Sequence, residues 1–138
     1  MTANITIRES GGMSLNLALS PTYTDMLVVR LAGTDFMASV SVPSEPAFPE
    51  LGQIDDFLSA AAEVTAGREV QWTSLGEELD LRAEANSDGR ANVRVHFGST
   101  SDDACCWQAD AMLVVERNEL AHAGIEAART LKTKPVAN

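Results

Sequence analysis

Leu79-Asp80-Leu81-Arg82-Ala83-Glu84-Ala85, then Asn86-Ser87-Asp88-Gly89, then Val93-Arg94-Val95-His96-Phe97: this stretch decides the fold class. Apolar and polar side chains alternate on both sides of a cluster of turn formers. Successive side chains of a strand point to opposite faces, so each run is a strand with one buried and one outer face. Asn86-Ser87-Asp88-Gly89 is a strong turn signal.

The same alternation recurs on either side of this unit. Ile5 and Ile7, then Leu15, Leu17 and Leu19, then Leu27, Val29 and Leu31 each alternate with other side chains. Phe36, Ala38, Val40 and Val42 continue the pattern after Ala32-Gly33-Thr34-Asp35, a tight turn in which Gly33 is expected to take a positive φ. Val70 and Trp72 mark a short strand. Cys105, Trp107, Ala109, Ala111, Leu113 and Val115 share one face of a long one, with Cys106, Gln108, Asp110, Met112 and Val114 on the other.

Two segments carry helical spacing instead. Pro49 suits the first position of a helix, because the missing N–H has no partner there. Leu51, Ile54, Phe57, Leu58, Ala61 and Ala62 then form an apolar stripe, and Gly67 is a stop signal. Asn118 is a favourable N-cap for a second helix with the stripe Leu120, Gly124, Ala127, Ala128 and Leu131. His122, Glu126 and Arg129 fall on its solvent face as ordinary intrahelical charge neighbours.

The chain thus reads as strand, strand, strand, strand, helix, used twice. Either an internal ββββα duplication or convergent packing of similar elements produces this match. The expected fold is α+β, with a mostly antiparallel sheet of about eight strands and both amphipathic helices on one face. Residues 1–131 form a single domain, and 132–138 a flexible C-terminal tail.

Composition narrows the function classes. The chain has 138 residues, enough for one domain with a real core, and 45% are hydrophobic. The net charge of −10 argues against a nucleic-acid partner, which needs a basic footprint, and against an anionic membrane surface. It favours solubility and steering toward a basic partner. No apolar run approaches the roughly 20 residues of a spanning helix, and no signal peptide is visible, so a cytoplasmic location is expected. Cys105 and Cys106 are adjacent and cannot bridge each other without strain; free thiols fit a reducing compartment.

The face left uncovered by the helices is the expected interaction surface. Its candidate residues are Arg30 and Met37 in the first half, and Arg82, Arg94, His96, Cys106, Gln108 and Asp110 in the second. The first-half part is weakly polar, and with Val28 and Met37 it could pair with another copy. The second-half part is charged. Chemistry is less visible. A thiol near an imidazole can be a nucleophile, and Cys106 and His96 could share the outer face, but no group that lowers the thiol pKa or holds an oxyanion is apparent. Cys105, Trp72 and Trp107 fall in the apolar alternation and read as core. Asp102, Asp103 and His96 match no defined metal-ligand spacing, so neither a metal nor any other cofactor is expected. The glycines form neither a P-loop nor a dinucleotide fingerprint, and there is no nucleophile elbow.

Trp72-Thr73-Ser74-Leu75, Leu79-Asp80-Leu81 and Val93-Arg94-Val95, followed by Trp107 and the Glu116-to-Leu131 segment, resemble a bacterial family of small acidic α+β proteins of unknown function. The resemblance implies an α+β fold and no assigned activity or site residue; some comparable small acidic bacterial proteins are immunity proteins that bind a toxin. The expected function is a non-enzymatic protein-binding module, of immunity or regulatory type. A secretion-chaperone-like homodimer and a small-ligand binder or enzyme with a pocket between sheet and helices are the alternatives.

Overall fold

A computed structural model describes residues 4–9, 11–23, 25–98 and 108–131. Among them the elements run β1 (Asn4–Arg8), β2 (Ser14–Leu19), β3 (Met26–Ala32), β4 (Met37–Pro43), a 3-10 turn (Pro49–Leu51), α1 (Ile54–Ala62), β5 (Glu69–Thr73), β6 (Leu79–Ala85), β7 (Ala91–Gly98), β8 (Gln108–Val115) and α2 (Arg117–Thr130). The α+β class follows directly. Cys105, Cys106, Trp107, Asp102, Asp103 and the 132–138 tail lie outside the described residues.

The strands form two four-stranded antiparallel sheets, β1-β2-β3-β4 and β5-β6-β7-β8, rather than one sheet of about eight. Each is a meander in chain order. The sheets approach each other where β1 meets β8. Side chains, not a backbone ladder, join them there. The Val114 N–H donates to Glu9 Oε2 at 3.1 Å, and the Arg8 N–H donates to Glu119 Oε1 at 3.2 Å. Carboxylates thus take up edge N–H groups that a continuous ladder would otherwise use.

The alternation places the inner faces as expected. Leu15, Leu17, Leu27, Val29 and Leu31 of the first sheet are buried, as are Leu79, Leu81, Val93, Val95, Phe97 and Leu113 of the second. They belong to one apolar cluster that also takes in Ile54, Phe57 and Leu58 of α1 and Leu120, Ala123 and Ala127 of α2. Both sheets therefore share a single core. Trp72 anchors it with no exposed surface, and its indole Nε1–H donates to the Gly52 carbonyl at 3.0 Å. A buried indole needs such a partner. This bond fixes the junction between the 3-10 turn and α1.

The helices pack on one another, α1 also against β5 and α2 also against β1. Their backbones come closest at Gly124. A Cβ there would lie 2.7 Å from Ser59 Oγ and 3.1 Å from Ser59 N, so only glycine fits without a shift. Arg117, the first residue of α2, ties the helix ends together. Its Nη1 donates to the Ala62 carbonyl at 3.0 Å and its Nε to the Gly89 carbonyl at 2.9 Å. A cation at the C-terminal carbonyls of α1 also suits the helix dipole.

Five local expectations are corrected. Pro49 opens a 3-10 turn, not α1; Gly52, at φ 74, separates the two, and Asp56 Oδ2 accepts the Gln53 N–H at 2.9 Å to start the helix at Ile54. Ala128 is exposed, and Ala123 fills its place in the α2 stripe. Asn118 is not the N-cap of α2; Glu116 is. Phe36 lies outside the core and ahead of β4. Gly33 does not have a positive φ; its role is space, because a Cβ would sit 2.5 Å from the Phe36 ring.

Candidate functional site

The two sheets divide the expected interaction face. Arg30 and Met37 stand exposed on the outer side of the first sheet. Arg82, Arg94, His96, Gln108 and Asp110 stand together on the outer side of the second. Cys106 is outside the described residues, so its expected proximity to His96 has no structural account.

Register builds the second face in rows. Gln71, Arg82, Arg94 and Met112 lie directly across from one another on β5 to β8. Beside that row runs Thr73, Asp80, His96 and Asp110, and on its other side Glu69, Glu84, Asn92 and Val114. A basic row is thus flanked by two acidic rows. Like charges directly opposite on neighbouring strands disfavour the sheet, and opposite charges on diagonals relieve them.

One half of the basic row is fully relieved. Asp80 Oδ1 accepts from Thr73 Oγ1 at 2.8 Å and from Gln71 Nε2 at 2.9 Å, while Asp80 Oδ2 accepts from Arg82 Nε at 2.9 Å. Glu69 adds a second, looser partner to Arg82 at 4.0 Å. The hydrogen bond and charge of Asp80 raise the Arg82 guanidinium above its already high ordinary pKa. His96 Nδ1 and Asp110 Oδ1 form a separate pair at 2.5 Å.

Arg94 is different. Its strand neighbours on the same face are Asn92 and His96, Asp80 is engaged with Arg82, and Asp110 with His96. Arg94 makes no ion pair among the described residues. It borders a shallow depression of about 80 Å³ lined by Glu69, Arg82, Ala83, Glu84, Asn92, Arg94 and Met112. The Met112 side chain is exposed at its edge.

A guanidinium with free donors beside a thioether can hold a carboxylate against an apolar contact. Among the described residues no group of three or more His, Cys, Asp and Glu is placed to hold a metal ion, and no helix is long and apolar enough to cross a membrane. Gln71, Thr73, Glu69 and Met112 belong to this face and were not among its sequence candidates. Gln71 stands between Val70 and Trp72, so its parity pointed outward, but so short a strand carries little pattern. No protein-family model, curated protein or solved structure matches this chain.

Proposed function

We propose that this chain is a non-enzymatic protein-binding module, of immunity or regulatory type, that docks its partner on the outer face of the second sheet. The observation that carries the reading is Arg94: a charged side chain opposite another arginine, without a described carboxylate partner, beside exposed Met112. A carboxylate on the partner would supply what the sheet withholds. Arginine and methionine are enriched at interfaces, and arginine is a frequent hot spot. The surrounding acids and the net charge of −10 favour a partner whose remaining contact surface is basic.

The finer organisation belongs to the same proposal. The halves are read as an internal ββββα duplication with both helices on the core side of the sheets. Two features support this: each half is a four-stranded meander followed by a helix, and each helix packs on the first strand of the other half.

The test compares baits. Wild-type protein and Arg94→Glu are immobilised and washed at low and high salt, and any retained protein is purified and titrated against both. A partner that binds wild type, binds Arg94→Glu about 30-fold more weakly or worse, and loosens with salt supports the docking face. Equal binding to both baits contradicts it.

A further inference from the structure

The first sheet carries a surface that the docking face does not use, the outer edge of β4. Each of the two sheets has two edges, and on three of the four at least one backbone group is taken up by another part of the chain. Glu119 takes the Arg8 N–H on β1, and Glu9 takes the Val114 N–H on β8. The end of β5 is covered by the 45–47 segment, through Ala47 N–H to the Thr73 carbonyl and Leu75 N–H to the Glu45 carbonyl, both at 2.8 Å. Among the described residues nothing reaches the outer edge of β4.

Register identifies the open groups. The Gly33 N–H donates to the Phe36 carbonyl and the Ser44 N–H to the Asp25 carbonyl at either end of the β3–β4 pairing. Bonding positions alternate along an antiparallel strand, so Ala38, Val40 and Val42 bond β3. Met37, Ser39, Ser41 and Pro43 then point their backbone groups away from it. Pro43 sits where its missing N–H costs no ladder bond.

Natural edges are usually protected by charge, a bulge or a cover. β4, Met-Ala-Ser-Val-Ser-Val-Pro, has no charged residue. All four strands of its sheet lack Asp and Glu, in a chain with 20 acidic residues. Met37 is 67% exposed, and Ala38 and Val40, which face the core, are only half-buried.

We infer that β4 pairs antiparallel with β4 of a second copy, joining two first sheets across a twofold axis at Val40. A second copy fits because the edge is self-complementary. With Val40 opposite Val40, Ser39 and Ser41 exchange both backbone bonds with Ser41 and Ser39 of the other chain, and each Met37 N–H meets a Pro43 carbonyl. Val40, which lies across from Val29 and packs against the core, then gains a second apolar neighbour on its open side. Charge points the same way. Two copies at −10 repel, and this acid-free sheet is where they approach at least cost. The acids next to β4 in the chain, Asp35 and Glu45, lie beyond the strand ends, so salt tightens the dimer, whereas it loosens the proposed docking on the second sheet. The two proposals therefore fail separately.

Sedimentation velocity over a dilution series, at low and high salt, tests the inference. Wild type is expected to be a dimer that dissociates on dilution and tightens with salt. Ser41→Pro removes an N–H that makes no bond within the chain; it should weaken association by about tenfold or more while keeping the wild-type circular dichroism. A register test stands even if that variant folds poorly. Directly opposed, non-hydrogen-bonded residues have Cα atoms about 4.5 Å apart, within disulfide reach. Val40→Cys should therefore give an oxidised dimer whose linkage maps to position 40, and Ser39→Cys should not. A wild type that stays monomeric throughout, a Ser41→Pro dimer as tight as wild type, or crosslinking at position 39 equal to that at 40 would overturn the proposal.

Discussion

The two sheets have the same topology and share one core, yet their outer faces follow opposite rules. On the second sheet, charges are dense and mostly satisfied by each other, with Asp80 at the centre of a network and Arg94 left over. On the first, strands β1 to β4 carry two arginines, Arg8 and Arg30, and no acid. Its outer contacts are light, such as Asn16 Nδ2 to Thr6 Oγ1 at 2.9 Å. Equal architecture with unequal chemistry shows that packing constrains the inner faces alike and leaves the outer faces free to differ.

The comparison can be broken first at the shared core. Trp72 on β5 and Ile7 on β1 hold the same place in their strands, and both are buried. Trp72→Ala should lower stability by about 3–5 kcal/mol and Ile7→Ala by about 2–5 kcal/mol, each in a single urea transition monitored by circular dichroism. Two separate transitions would mean that the sheets unfold independently and the common core is wrong. Trp72→Phe isolates the indole bond to Gly52 and should cost about 1–3 kcal/mol, part of it from the carbonyl left unpaired.

Next is the helix crossing that connects the halves. Gly124→Val should destabilise by about 1–3 kcal/mol, because the added atoms meet the Ser59 backbone as well as its hydroxyl. Thermal melts with and without Ser59→Ala show whether relieving the hydroxyl recovers only part of the loss. Full recovery would mean that the backbones are not in close contact.

The outer faces differ by smaller amounts. Asp80→Ala leaves Arg82 facing Arg94 without its closest carboxylate and removes the acceptor of three donors; a loss of about 1–3 kcal/mol is expected in urea unfolding. Asn16→Ala on the first sheet should cost about 0.5–1.5 kcal/mol in the same measurement. Arg94→Ala is the smallest, within about 0.5 kcal/mol of wild type in a thermal melt, since it has no described ion pair to lose. A clear loss of stability there would assign Arg94 to the fold instead of to a partner.

Much of this was legible in the strand alternation. Period-2 patterning placed Leu15 to Leu31 and Leu79 to Phe97 on inner faces and Arg82, Arg94, His96 and Asp110 together outside. Periodicity does not reveal which strand edges join. The break between β1 and β8 depends on Glu9 and Glu119 reaching edge N–H groups more than a hundred residues away in the chain. Arg30 and Met37 were therefore assigned to a common face with residues of a separate sheet. Local exceptions had local causes: Phe36 fits the alternation but packs over Gly33, and the Pro49 helix signal stops at Gly52, whose positive φ interrupts the turn. That Arg94 makes no ion pair among the described residues required distances, because every neighbouring acid was a plausible partner by spacing alone.

Amide hydrogen exchange across a dilution series tests the division between the two sheets most directly. Concentration should protect the amides of Met37, Ser39 and Ser41 while leaving those of β5 to β8 unchanged. Exchange at β4 that is indifferent to concentration, or protection that grows equally on both sheets, would contradict it.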